Sequence, residues 1–114
     1  SQRTRRAAAL IKALKDENLW PPIVPTVVIA ESTSGAARTD TNINRFLKAC
    51  EVEPVVSERA ARRAGYLRAR ARTGSAVDAL VVAMAEPGGT VLTGDPDDLE
   101  ALGSHAVGVE VEPV

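Results

Sequence analysis

Short aliphatic runs alternate with longer segments of helical period along most of this chain, and that alternation restricts the fold more than any other feature. Ile23-Val24, Val52–Val56 (interrupted by Pro54), Thr90–Thr93 and Ala106–Val111 have strand length and strand composition. Between them lie stretches whose apolar residues recur every three or four positions. Strands separated by helices predict an α/β fold with a parallel sheet. No repeat or low-complexity stretch divides the 114 residues, and a 45% apolar content suits one small domain over residues 1–114.

The helical segments have readable ends. Gln2–Asp16 carries Ala7, Leu10, Ile11 and Leu14 at helical spacing and is broken by Pro21-Pro22. Residues 26–37 are ambiguous, because Val27-Val28-Ile29 favours a strand while no turn signal comes before Arg38-Thr39. Asp40 is placed to cap a helix through Phe46, Leu47 and Cys50. Ser57 caps a helix reaching Arg72, with Ala60, Ala61, Ala64 and Leu67 on one side and six arginines along it. Gly74 stops that helix. Ser75 starts another that runs through Met84 and Ala85 to Pro87-Gly88-Gly89, and Asp95-Pro96 opens a short one to about Leu102.

Charge is divided along the chain. Residues 1–72 hold all fourteen Lys and Arg against seven acids, a net +7, and residues 73–114 hold eight acids and no Lys or Arg, a net −8. One part offers cations for phosphate and the other carboxylates for a metal, unless folding interleaves the two into an ordinary surface. Several chemistries are excluded. A single Cys, Cys50, rules out an internal disulfide framework and a Cys-based zinc site and reads as a small apolar residue at a helix end. His105 is the sole His and reads as a loop residue, without partners for a catalytic triad or zinc. The glycines match no phosphate-loop fingerprint. Trp20, Phe46 and Tyr66 are the only aromatics, so base stacking is not expected to dominate. No apolar run is long enough for a membrane span, and without disulfide or secretion signals the expected compartment is the cytoplasm.

Four acids fall at junctions where an α/β fold presents chemistry. Glu31 follows the run Val27–Ala30, Asp78 lies one turn after Ser75, and Asp95 and Asp98 follow the strand Thr90–Thr93. Oxygen-only donors suit Mg²⁺ or Mn²⁺. Each acid also has a purely structural explanation. Ser75-Ala76-Val77-Asp78 matches a capping box, Asp95-Pro96-Asp97-Asp98 matches a helix start, and Glu31 could be a solvated helix residue. What those explanations leave over is Asp78 at the head of Ala79-Leu80-Val81-Val82-Ala83-Met84, where a carboxylate near others is costly unless a cation neutralises it.

The order and spacing of three segments resemble the PIN-domain family. Ile23–Glu31 is similar to its strand and helix start leading to a Glu, Ser75–Ala83 to its Asp-bearing helix, and Val91–Leu99 to its strand-Thr-x-Asp-x-x-Asp element. The resemblance implies a three-layer domain of parallel sheet and helices, with residues 26–37 helical. It implies Glu31, Asp78 and Asp95 as metal-binding carboxylates, Asp98 as a fourth, and Thr93 bonded to a metal-bound water or a neighbouring carboxylate. It further implies a VapC-type toxin of a type II toxin–antitoxin system: an Mg²⁺- or Mn²⁺-dependent endoribonuclease, homodimeric and held by a cognate antitoxin. The alternative is a PIN-like protein-interaction module without catalysis. Apart from the resemblance, the six arginines of the helix from Ser57 to Arg72, Arg68 and Arg72 among them, read either as a track for the RNA backbone or as a solvated helix face. The family pattern begins with a central strand ending in an Asp, and this sequence opens instead on the Ser1 helix. The expectation is therefore a domain lacking that strand and ligand, with weak metal binding, low activity and some substitute for the strand.

Overall fold

A computed structural model describes residues 21–113. The helix expected over Gln2–Asp16 lies outside them. The chain divides into two compact units, one extending to Val55 and the other spanning Val56–Pro113.

In the first unit, strand β1 (Ile23–Pro25) runs directly into helix α1 (Thr26–Ser32). Helix α2 (Thr41–Leu47) then leads to strand β2 (Glu51–Glu53). The two strands pair in parallel with Val24 opposite Val52, and the Glu51 N–H donates to the Pro22 carbonyl at 2.9 Å. Val24, Val28 and Ile43 are buried apolar residues among those described in it. The resemblance correctly overrides strand propensity at Val27–Ile29, but the helix stops at Ser32 and does not continue to residue 37. Thr33 is extended, and its hydroxyl and N–H both donate to the Ile29 carbonyl, which closes the last turn.

The second unit begins with α3 (Glu58–Ala71), followed by α4 (Ala76–Ala85), strand β3 (Thr90–Thr93), α5 (Pro96–Gly103) and strand β4 (Glu110–Pro113). Ser57 caps α3, its hydroxyl accepting the Ala60 N–H at 3.1 Å, and Ser75 caps α4 in the same way with the Asp78 N–H at 3.0 Å. β3 and β4 pair in parallel, Val91 opposite Val111, with α5 as the crossover between them. Helices α3, α4 and α5 pack on one another, α4 also packs on β3, and α5 on β4. Ala64, Leu67, Ala79, Val82, Val91, Leu92, Leu99 and Leu102 form the core. This is the expected α/β PIN-like architecture, with the described strands in two parallel pairs.

The end of α3 falls where the sequence reading put it, and the start of β4 departs from that reading. Helix α3 ends at Arg72, which takes a left-handed conformation (φ 60°), with Gly74 (φ 91°) following it. A side chain at Gly74 would place a Cβ 2.7 Å from Leu102 Cδ1, so the close passage of α5 demands glycine here. Strand β4 starts at Glu110, not at Ala106. Before it, the Gly88 N–H donates to the Val107 carbonyl and the Val107 N–H to Glu86, so these backbone groups tie two loops together and are not available to a ladder.

Candidate acidic site

Asp78 is the third residue of α4, in an otherwise apolar helix, and is only 8% exposed. Its backbone is fixed by the Ser75 cap, and its carboxylate sits in the first helical turn, where the peptide dipoles favour negative charge. The sequence signal that singled it out therefore corresponds to real burial.

Thr93 ends β3 and is fully buried. Its hydroxyl accepts the Asp95 N–H at 3.0 Å and approaches the Asp95 carbonyl at 3.3 Å. It thus shapes the turn into α5 through the Asp95 backbone. Asp95 stands at the N-cap position of α5 with Pro96 after it, yet its side chain does not make the cap bond. The amide of Asp95 goes to Thr93, and the residue is exposed. Asp98, also exposed, accepts the Thr73 hydroxyl at 2.7 Å and so links the α3–α4 connection to α5.

Glu31 lies near the end of α1, in the first unit, and is half-buried. Beyond it is a carboxylate that the sequence reading assigned wrongly. Asp40 precedes α2 but does not cap it by its side chain. Its Oδ1 instead accepts the Ser34 N–H at 2.9 Å and the Ser34 hydroxyl at 3.0 Å, while Oδ2 accepts the Gly35 N–H at 2.9 Å. The Ser34 N–H above all, with the Ser34 hydroxyl and Gly35 N–H, holds the Asp40 carboxyl below its usual range against the opposing effect of burial. Asp40 closes the loop that follows Glu31. A Ser-Gly pair six and five residues ahead of an Asp was the available signal.

Arg68 and Arg72 both serve the C-terminus of α3: the Arg68 carbonyl accepts the Arg72 N–H at 2.8 Å, and Arg68 Nε reaches the Gly74 carbonyl at 3.3 Å. Two further groups escaped the sequence reading. Arg63 makes a two-pronged ion pair with Glu86, and the guanidinium carbons of Arg63 and Arg70 lie over the Tyr66 ring, 4.9 and 5.0 Å from its centroid.

Among the described residues no three carboxylate, His or Cys side chains gather closely enough to hold a metal ion by themselves. The oxygen-only donor set still fits Mg²⁺ or Mn²⁺, which keep several waters and take one or two protein carboxylates together with substrate phosphate. Among the described residues no helix is long and apolar enough to cross a membrane.

No curated protein and no solved structure matches the chain. The family model of the PIN domain matches residues 2–103, which include all three segments that carry the acids. The chain therefore belongs to the PIN domain family, whose members are generally metal-dependent nucleases.

Proposed function

We propose that this protein is a metal-dependent endoribonuclease toxin of the VapC type, working in the cytoplasm as a homodimer and restrained by a cognate antitoxin in a type II pair. The observation that carries the nuclease reading is Asp78, a carboxylate 8% exposed at the head of an apolar helix. The toxin, antitoxin and dimer assignments rest on the sequence resemblance.

Asp78 and Asp95 are the proposed metal-binding carboxylates, with Asp98 a further one, and Glu31 takes the same role from the resemblance. When bound, Mg²⁺ or Mn²⁺ supplies Lewis acidity, polarising the phosphodiester and making water a stronger nucleophile at neutral pH. The chain's own contribution is placement. The Ser75 cap holds the backbone that carries Asp78, and Thr93 holds the backbone that carries Asp95.

The test is cleavage of a mixed RNA pool by the full chain with Mg²⁺, Mn²⁺ or chelator, beside Asp78→Asn. Metal-dependent cleavage that Asp78→Asn abolishes is the expected result. Specific protein binding with no cleavage under any metal would instead select a PIN-like interaction module.

A further inference from the structure

Within Val56–Pro113 every Lys or Arg lies on α3 or at its end, while the rest of that unit is acidic. A polyanion approaching it has one favourable face. Arg59, Arg63, Tyr66 and Arg70 are spaced at i, i+4, i+7 and i+11 and so share one stripe of α3, whereas Arg68, whose Nε reaches the Gly74 carbonyl, and Arg72 lie towards the other flank. The stripe extends about 16 Å from Arg59 to Arg70, too long for a small anion and suited to an extended chain of phosphates.

Its geometry narrows the partner further. Tyr66 stays 45% exposed although guanidinium groups of Arg63 and Arg70 lie about 5 Å from its centre. Arg63 is pinned in turn by the Glu86 carboxylate, so one of the two guanidinium groups at the ring is fixed before anything binds. A base can stack on a guanidinium plane or an aromatic ring, and ordering the side chains beforehand lowers the entropy lost on binding. An acidic protein segment would require the charges but not the exposed ring among them.

We propose that the Arg59–Arg63–Tyr66–Arg70 stripe of α3 is a contact surface for single-stranded nucleic acid, with Arg59 and Arg70 on phosphates and the Tyr66 ring with its arginines on a base. The proposal rests on the nuclease reading for its substrate class and adds the surface that holds the strand. It places that surface away from Arg68 and Arg72, and it assigns to one ring and its arginines the stacking that a low aromatic content had argued against.

The experiment is fluorescence anisotropy of a labelled single-stranded RNA oligonucleotide over a salt series, in an Asp78→Asn background that does not cut it. Arg59→Gln and Arg70→Gln should each weaken binding and lower the slope of log affinity against log salt by about 0.7 for each phosphate no longer neutralised. Tyr66→Ala should weaken binding at least about fivefold with little change in slope, and Tyr66→Phe should restore it. Arg68→Gln should leave the slope unaltered. Unchanged affinity and slope in the Arg59, Arg70 and Tyr66 variants, with normal thermal unfolding, overturn the proposal. So does failure of those variants to bind a protein partner while RNA binding persists, which would give the stripe to an acidic protein. RNA binding through the stripe by a wild-type chain that cuts no RNA sustains this surface and removes the nuclease reading. Metal-dependent cleavage with a silent stripe does the reverse.

Discussion

Arg63 and Glu86 meet in a bidentate pair, Nε to Oε1 at 2.8 Å and Nη2 to Oε2 at 2.7 Å, across 23 residues of chain. Glu86 also accepts the Val107 N–H at 2.8 Å, so one carboxylate joins α3, the end of α4 and the approach to β4. The Arg63 hydrogen bonds, with the Val107 N–H, hold the Glu86 carboxyl below its ordinary value of 4.5, against the opposing effect of burial. Glu86→Gln should destabilise the protein by about 1–2 kcal/mol, between the worth of an exposed ion pair and that of a charged, partly buried hydrogen bond. Because the folded value is lowered, this stabilisation is complete above the unfolded value of 4.5 and disappears as pH falls through the folded one. Urea unfolding of both proteins at neutral and acid pH checks this: the midpoints should differ at neutral pH and converge on acidification.

The two serine caps separate stability from positioning. Ser57→Ala and Ser75→Ala each remove one hydroxyl acceptor from a helix start and should cost about 1 kcal/mol. Only Ser75 receives the N–H of a proposed metal-binding residue. Ser75→Ala should therefore reduce metal-dependent cleavage well beyond the effect of Ser57→Ala, at a temperature where both variants are folded. Equal activity in the two would remove Ser75 from the positioning argument.

Metal binding should register as stability. A ligand that binds only the folded chain stabilises it by RT ln(1 + [L]/Kd), about 2.7 kcal/mol at a hundredfold excess over Kd. Millimolar Mn²⁺ or Mg²⁺ should raise the melting temperature of the full chain, and Asp78→Asn should blunt the rise. A melting curve indifferent to both ions would count against the proposed carboxylate site.

Asp40 should govern the loop behind Glu31. Asp40→Asn removes the charge that the Ser34 and Gly35 amides bond to. Those two amides should then exchange with solvent faster, while the amides of α3 and α4 keep their protection. Hydrogen exchange read residue by residue decides this, and unchanged exchange at Ser34 and Gly35 would refute the tie.

Arg72 holds a left-handed conformation that side chains other than glycine adopt at a cost. Arg72→Gly should stabilise α3 by up to about 1 kcal/mol at this C-terminal position. A higher melting temperature with an unchanged salt dependence of RNA binding is the expected pair of results. A flatter salt dependence would restore Arg72 to the RNA contact that the sequence first proposed for it.

Local chemistry alone determined the Ser57 and Ser75 caps, the buried strand at Thr90–Thr93, the Pro96 helix start and the alternation that makes the fold α/β. Each depends on residues within one or two turns of one another, so the signal and its cause lie in the same short window. Asp78 was legible for the same reason, as a charge among aliphatic neighbours. The tertiary structure decided what the carboxylates do elsewhere. Asp40 resembles a helix cap until the loop folds back and brings the Ser34 and Gly35 amides to it. Nothing near Glu86 in sequence names Arg63 as its partner, and nothing near Val107 shows that its N–H is taken by Glu86 before β4 can begin. Periodicity reports which side of an element is apolar. Which particular donor satisfies a buried or half-buried acid depends on how the elements pack, because an unpaired carboxylate is costly and takes the nearest donors that packing provides.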